Sequence, residues 1–298
     1  MKTHYLCLVL AWLLAPIAEG VAQSPFASEV VSYTAGEGVP IGFDSPASAL
    51  GEPTRMSGGI IFPTIAVTPF QPAYMSTELV SIGFGGELII SFDHAVEDDP
   101  LNPFGIDLLI FGNAFCTDAA FPAGVSAGLF GEGGTIEVSV DGISWSLIEG
   151  VSADGSFPTI GWLDAGPYDE FPGNTPATFT RPVNPLLDLT GLSYNNLLAA
   201  YDGAGGGAGI DLASVGLAAI RYVRVSNLSA TSTPEIDAFA DVAPEGTPYD
   251  ISGDGLVNGV DLGLLLAAWA GDDPEADLNN DGIVDGADIG LLLVGWTL

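Results

Sequence analysis

The feature that most constrains this chain is a repeat near its C-terminus. The segment DISGDGLVNGVDLGLLLAAW, Asp250 to Trp269, recurs 27 residues later as DLNNDGIVDGADIGLLLVGW, Asp277 to Trp296, with 11 of 20 positions identical. In each copy oxygen-bearing side chains occupy places 1, 3, 5, 9 and 12, and a glycine occupies place 6. Carboxylates at this spacing repel one another. The repeat therefore requires either an unfolded segment or a cation in each loop.

This spacing matches a calcium loop of the EF-hand type, in which places 1, 3, 5, 7, 9 and 12 supply oxygen ligands, place 7 through its carbonyl. Carboxylate and amide oxygens suit Ca²⁺, and neither loop has a thiolate or imidazole for zinc. We therefore predict two Ca²⁺ ions, with tighter binding in the second loop because it has four carboxylates and the first has three. The predicted ligands are Asp250, Ser252, Asp254, Leu256, Asn258 and Asp261, then Asp277, Asn279, Asp281, Ile283, Asp285 and Asp288.

Each loop is followed by apolar residues at helical spacing, and a valine holds place 8 of each loop (Val257 and Val284). Neither loop–helix unit can bury its apolar stripe alone. The pattern therefore predicts that the two units pair around one small core. The residues of the two stripes are Leu262, Leu265, Leu266 and Trp269, then Ile289, Leu292, Leu293 and Trp296.

Two loop–helix units with Asp at place 12, and no helix before the first loop, resemble the dockerin type I module over residues 249–298. The resemblance implies a cohesin module of another chain as partner, bound through the helices and places 10 and 11. Those places hold Gly259 and Val260, then Gly286 and Ala287, instead of the hydroxyl pair typical of cohesin binders. A cohesin, another surface receptor and the chain's own β domain therefore all stay open as partners.

The N-terminus has the pattern of an export signal. A short polar start precedes an apolar run, Tyr5 to Ala18, and small residues precede Gln23. Because the run is shorter than the roughly 20 residues that span a bilayer, we predict a cleaved signal peptide at residues 1–22 and a secreted or cell-surface location on a bacterium. Cleavage leaves Cys116 as the one cysteine, so no intramolecular disulfide is expected.

Charge and composition narrow the class of protein further. The chain has 38 acidic against 5 basic residues, a net charge of −33, which disfavours nucleic acid and anionic lipid as partners. With 48% hydrophobic residues the chain can bury a core, and its 40 glycines and 21 prolines supply many turns. We therefore expect an all-β body at residues 23–243, joined through a linker at 244–248 to the repeat.

The strand pattern of that body is clearest in GTIEVSVDGISWSLIEG, Gly134 to Gly150, where alternation on both sides of Asp-Gly predicts a hairpin. Many strands without long helices indicate a jelly-roll β-sandwich, followed by the small α-helical module. We expect the glycine-rich segment Tyr201 to Ala213 to be a mobile surface loop. Further predicted strands lie in Thr77–Phe84, Glu87–Asp93, Ile106–Phe115, Ile220–Ser229 and Glu235–Val242.

Four segments of the body resemble galactose-binding-like, discoidin-type sandwiches: SALGEPT, IEVSVDGISW, RYVRV and EIDAFADV. FGNAF and GxDL are similar to uncharacterised bacterial cell-surface domains. The first resemblance implies glycan binding at loop tips and one structural Ca²⁺ in the sandwich. Four residues, Asp107, Asn113, Asp211 and Glu235, are candidates for such a cluster, and turn capping is the alternative role for them.

No catalytic residue is predicted. His94, at a strand end that enters an acidic turn, is expected to be solvated; Cys116, Trp145 and Trp162 are expected in the core; and no G-x-S-x-G elbow is present. We therefore expect a calcium-binding protein whose dockerin module tethers a β-sandwich binding domain to a partner, in an adhesion or polysaccharide-related role. The alternatives are a glycan-active hydrolase of a dockerin-bearing polysaccharide-degrading system and an envelope protein with no ligand besides calcium.

Overall fold

The structure is a computed structural model that describes residues 24–59, 61–244, 249–252, 257–271, 273, 275–279 and 281–296. The predicted signal peptide lies outside the described residues, as does most of the predicted linker. No helix in the described part of the chain combines the length and the apolarity that a bilayer crossing requires.

The described chain is mainly β, with thirteen strands and three α-helices. The helices are α1 Tyr194–Tyr201, α2 Gly259–Ala267 and α3 Gly286–Val294. The strands are β1 Glu29–Thr34, β2 Met56–Ser57, β3 Ile65–Ala66, β4 Val80–Ser81, β5 Glu87–Glu97, β6 Leu108–Gly112, β7 Phe115–Asp118, β8 Ser126–Phe130, β9 Thr135–Ser139, β10 Ser146–Ile148, β11 Ala208–Ile210, β12 Ala219–Ser226 and β13 Glu235–Asp241.

Two antiparallel sheets form the body. One has the strand order β1-β5-β12-β9-β10 and the other the order β11-β6-β13-β4. Both sheets contribute to one buried apolar cluster, the first through residues such as Leu88 and Val223 and the second through Ile110 and Phe239. This shared core between two layers is the packing of a β-sandwich.

The hairpin predicted around Asp-Gly is present. β9 and β10 pair antiparallel, with Ile136 opposite Ile148, and both side chains are buried. Asp141 forms the turn, because its Oδ1 accepts the N–H groups of Ile143 and Ser144, each at 2.8 Å. The alternation therefore predicts the buried face of β9 correctly. Val140 is the exception, because it lies beyond the end of β9 and is exposed.

The expectation that Tyr201 to Ala213 is a mobile surface loop is wrong. Gly205, Gly206 and Gly207 are buried, and the chain continues from them into β11. A Cβ atom on Gly205 would lie 2.3 Å from the ring of Phe179, and one on Gly206 would lie 2.3 Å from the carbonyl oxygen of Pro158. Glycine is needed here because the backbone packs against other groups too closely for a side chain.

Candidate metal centres

In the second loop of the repeat, the acidic side chains bond to the loop itself. Asp277 accepts the N–H groups of Asp281 at 3.2 Å and Gly282 at 2.8 Å. Asp281 accepts the N–H of Ile283 at 3.0 Å and the side-chain amide of Asn279 at 2.9 Å. Gly282, at place 6, has a φ of 90°, which glycine adopts without strain. The side chains at places 1, 3 and 5 therefore all make hydrogen bonds within the loop.

The first loop has the same pattern where it is described. Ser252 donates its hydroxyl to Asp250 at 3.0 Å and its N–H to Asp261 Oδ1 at 2.8 Å. The equivalent N–H in the second loop, that of Asn279, donates to Asp288 Oδ1 at 3.2 Å. The predicted ligands Asp254 and Leu256, together with Gly255 at place 6, lie outside the described residues.

The side chains at places 9 and 12 also cap the following helices. Asn258 accepts the N–H of Val260 at 2.8 Å, and Asp261 accepts the N–H of Asn258 at 2.8 Å, which makes a capping box at the start of α2. Asp285 and Asp288 make the equivalent box at the start of α3. These two places therefore have a local structural role that does not require an ion.

The place-12 carboxylates, Asp261 and Asp288, are fully buried. Burial raises the pKa of each, but hydrogen bonds from backbone N–H groups of the same loops outweigh burial, so both pKa values lie below the ordinary value for aspartate. Both groups are therefore ionised at neutral pH, which is the state in which a carboxylate binds a metal ion.

The two loop–helix units share one buried cluster. Val257 and Val284 from place 8 are both fully buried in it, together with Leu265 and Leu292 from the helices. The apolar stripe predicted from the sequence is too wide, however. Leu266, Trp269 and Leu293 are exposed, because two short helices bury a seam of only about one residue per turn against each other.

The four candidates in the sandwich separate into two clusters. Asp107 immediately precedes β6 and Asn113 immediately follows it. At about 3.3 Å per residue, that strand keeps the two residues roughly 20 Å apart. Asp211 lies with Asp107 and Glu235 lies near Asn113, so the four residues cannot form a single centre.

Asp107 and Asp211 occur in two copies of the tetrapeptide GIDL, Gly105–Leu108 and Gly209–Leu212. The antiparallel pairing of β6 with β11 brings the copies side by side, with Leu108 opposite Ile210. Asp107 Oδ2 accepts the N–H of Leu212 at 2.8 Å. A third carboxylate, that of Asp98, joins them, and one oxygen of each of the three lies within 4.8 Å of the others.

The second-loop carboxylates are less tightly grouped. In the described part of the chain, Asp98, Asp107 and Asp211 are the one set of three metal-ligating side chains that meets this 4.8 Å limit. The carboxylates of Asp277, Asp281 and Asp288 instead accept hydrogen bonds from N–H groups of their own loop. An ion in that loop would have to displace some of these hydrogen bonds.

The cluster at the other end of β6 surrounds a buried acid. Glu235 accepts hydrogen bonds from the side chains of Asn113 and Ser81, the latter at 2.7 Å. Asp154 lies beside them and is fully buried, and its Oδ1 has no hydrogen-bond partner. Burial, with added repulsion from Glu132 and Glu235, raises the pKa of Asp154 to about 7. This carboxyl is therefore suited to holding a proton.

His94 is not solvated as expected. Its Nδ1 lies 2.7 Å from Asp93 Oδ1 and its Nε2 lies 2.9 Å from Asp241 Oδ2, and its side chain is only 12% exposed. Burial raises the pKa of Asp241 to about 6, although the contact with His94 opposes that rise. Both ring nitrogens face carboxylates, so the histidine holds two acidic segments together.

Cys116 is buried as expected, and burial raises the pKa of its thiol. The two tryptophans expected in the core are only half-buried. Trp145 lies under the guanidinium of Arg224, with 4.4 Å between the guanidinium carbon and the ring centre. Trp162 contacts Arg55 in the same way at 5.9 Å. Both rings therefore pack against cations at the edge of the core.

Two cavities accompany these clusters. One, of about 480 Å³, is lined by acidic groups including Glu97, Asp99 and Asp241. It is also lined by Asn102, whose side chain donates to Asp107 of the set Asp98, Asp107 and Asp211, hereafter the Asp98 cluster. The other, of about 430 Å³, lies over the outer face of β6 and is lined mainly by apolar side chains such as Ile106, Leu109 and Leu189. The first is chemically suited to a cation and the second to an apolar group.

Comparison with known proteins adds no assignment. No protein-family model matches the chain, and no curated protein matches it significantly.

Proposed function

We propose that this chain is a secreted or cell-surface calcium-binding protein, in which a C-terminal dockerin-like module tethers a β-sandwich binding domain to a partner protein. The observation that carries the proposal is the pair of loops in one register, each leading into a capped helix and both packed on one core. Capping explains places 9 and 12. It does not explain Asp at places 1 and 5 or the glycine at place 6, whereas a Ca²⁺ ion in each loop explains all five places.

The chemistry of the donor set fits calcium. Asp277, Asn279 and Asp281, with the carbonyl of Ile283 and the carboxylate of Asp288, would hold the ion of the second loop, and the first loop offers the same set of places. The ion supplies positive charge that turns the mutual repulsion of these side chains into attraction. All the donors are hard oxygens, which favours calcium over zinc.

The surface of the two helices supports a tether. A set of apolar side chains, including the place-11 residue of the first loop, stays exposed on α2 and α3, although the module is small and the chain is highly charged. Such a patch is typical of a protein-binding surface. The described residues of both helices include no Lys or Arg, so the partner, a cohesin-like module or another surface receptor, would be held by apolar contact. The exposed residues are Val260, Leu264, Leu266, Leu293 and Val294.

The role of the sandwich follows from the same proposal. A galactose-binding-like jelly roll, with a glycan or another surface molecule as its ligand, is compatible with the two antiparallel sheets and gives the tether something to display. The alternative, a glycan-active hydrolase, needs two carboxylates that a sugar can reach. Asp154 and Asp237, whose pKa values are both raised to about 7 by burial, are only 1% and 3% exposed. No observation on the described residues therefore favours hydrolysis.

The test is calcium-dependent capture of a partner by the full chain from the surface fraction of its source. We expect capture in calcium, loss of capture in chelator, and loss of capture in calcium when Leu266 and Leu293 are both changed to Ala, because their side chains belong to the exposed patch. The control changes Leu147 and Leu186, two exposed leucines of the sandwich domain, to Ala and should capture normally. Capture that persists in chelator would overturn the tether.

A further inference from the structure

The Asp98 cluster connects the two layers of the sandwich. Asp98 follows β5, a strand of the five-stranded sheet, whereas Asp107 and Asp211 border β6 and β11 of the four-stranded sheet. Their carboxylate oxygens nevertheless approach within 4.8 Å of one another. Two sheets that meet only through an apolar core have no reason to bring three negative charges together at one edge, since the charges repel.

No side-chain cation offsets that repulsion among the described residues. Arg55 pairs with Glu52, Arg181 with Asp202 and Arg224 with Glu137. The imidazole of His94 faces Asp93 and Asp241. Arg221 donates to the backbone carbonyls of Phe92 and Asp93 instead. Asp107 is completely buried, and a buried carboxylate without a positive partner is costly.

An independent sign of a missing ligand is the side chain of Asn102. It is 5% exposed, and its Nδ2 donates to Asp107 Oδ1 at 2.8 Å, so the carboxamide lies directly against the cluster. Its carbonyl oxygen Oδ1 is buried and has no hydrogen-bond partner. A buried acceptor left unsatisfied costs about 1–3 kcal/mol, and a cation placed among the carboxylates would satisfy it.

We propose that Asp98, Asp107, Asp211 and the Oδ1 of Asn102 bind one Ca²⁺ ion that cross-links the two sheets of the sandwich. Three carboxylates and an amide oxygen are hard donors of the kind calcium prefers, and calcium accepts the irregular geometry that three separate segments provide. Asp98 is exposed, so water completes the coordination from the solvent side.

The consequence for the protein is that a metal ion, and not a disulfide, would cross-link the two sheets of the sandwich. Cys116, the described cysteine, is a free buried thiol, so the sandwich has no cross-link from sulfur in the described part of the chain. The ion would instead tie the end of β5 to the ends of β6 and β11. It is independent of the two ions proposed for the C-terminal loops, because it uses none of their residues.

Native mass spectrometry in excess Ca²⁺ tests the proposal by counting the ions bound to the chain from residue 23 onward, after the predicted signal peptide. We expect three ions on the wild type and two on a variant with Asp98→Asn and Asp211→Asn. A control with Glu149→Gln and Asp188→Asn loses two exposed carboxylates elsewhere and should keep three. An unchanged ion count in the first variant would overturn the proposal.

A loop variant and a folding check keep the outcomes distinct. Asp250→Asn with Asp277→Asn should reduce the count from three to one; if it does not, the loop assignment fails and the sandwich site stands. In chelator the Asp98/Asp211 variant should melt at or above the wild-type temperature, because two repelling charges are gone. Calcium should raise its melting temperature less than it raises that of the wild type, and an equal rise would contradict the cross-link.

Discussion

Asp154 shows how one residue can make the stability of this protein depend on pH. Its folded-state pKa is raised, by burial first and by Glu132 and Glu235 next, from 3.8 to about 7. A raised pKa means that the folded state binds the proton more tightly than the unfolded state does. The free energy of unfolding therefore falls as pH rises between about 4 and 7, and the loss is complete above pH 7.

The variant Asp154→Asn should remove that loss, since the amide is neutral at every pH. We expect little change in the free energy of unfolding at pH 4 and a gain of up to roughly 4 kcal/mol at pH 8. Urea denaturation at both pH values measures it. Glu149→Gln, at an exposed carboxylate, serves as the charge control and should give the same small change at both pH values. A variant that is destabilised at pH 8 would contradict this account of Asp154.

At the residue scale, the sequence analysis named two of the four residues that we assign to the calcium site of the Asp98 cluster. The resemblance to galactose-binding-like sandwiches made Asp107 and Asp211 candidates, together with Asn113 and Glu235, which the structure places in a separate cluster. Asp98 and Asn102 carry no such signal, since they lie in the turn-like stretch EDDPLN, where acids and amides are common. Only the pairing of β6 with β11, together with the packing of their sheet against the sheet that contains β5, brings all four together, and sequence spacing specifies neither.

At the element scale, the two C-terminal helices divide their leucines between core and surface. Leu265 and Leu292 are fully buried in the shared cluster, whereas the next residues, Leu266 and Leu293, are 51% and 55% exposed. Adjacent positions on a helix are turned by about 100° from one another, so one leucine of each pair must leave the seam. In each helix, therefore, one leucine packs in the core and the next leucine lies on the surface.

These adjacent leucines give a matched test of that division. Leu265→Ala and Leu292→Ala should each lower the free energy of opening of α2 and α3 by about 2–5 kcal/mol, because each leaves a cavity. Leu266→Ala and Leu293→Ala should change it by less than about 1 kcal/mol. Hydrogen exchange of the helix amides in the full chain measures both. Equal losses from the buried and exposed changes would show that the seam is placed wrongly.

The elements that sequence patterns predicted best are those with a strong local signal. The β9–β10 hairpin follows from its alternation and its Asp-Gly turn, and α2 and α3 follow from the apolar residues at helical spacing after each loop. The glycine-rich segment leading into β11 was misjudged, because glycine permits close packing as well as mobility and only the neighbouring side chains decide between them. Helix α1 was missed because its eight residues are too few for a periodic signal.

At the scale of the whole molecule, the negative net charge and the lack of a disulfide in the described residues both act against a compact fold. A chain with a net charge of −33 repels itself when compact, and its described part has a free thiol in place of a disulfide. The divalent cations that we propose would offset both deficits, because each would neutralise several carboxylates and join separate segments. In this proposal the C-terminal loops and the Asp98 cluster use the same chemistry, the loops to build a partner-binding module and the cluster to brace the sandwich.

The central claim, that each copy of the repeat binds calcium, is tested most directly by calorimetric titration of the full chain and of its Asp254→Ala and Asp281→Ala variants. We predict that each variant binds calcium more weakly than the wild type, and that Asp281→Ala loses more affinity because the second loop has four carboxylates against three. Variants that bind calcium with the same stoichiometry and affinity as the wild type would contradict the claim.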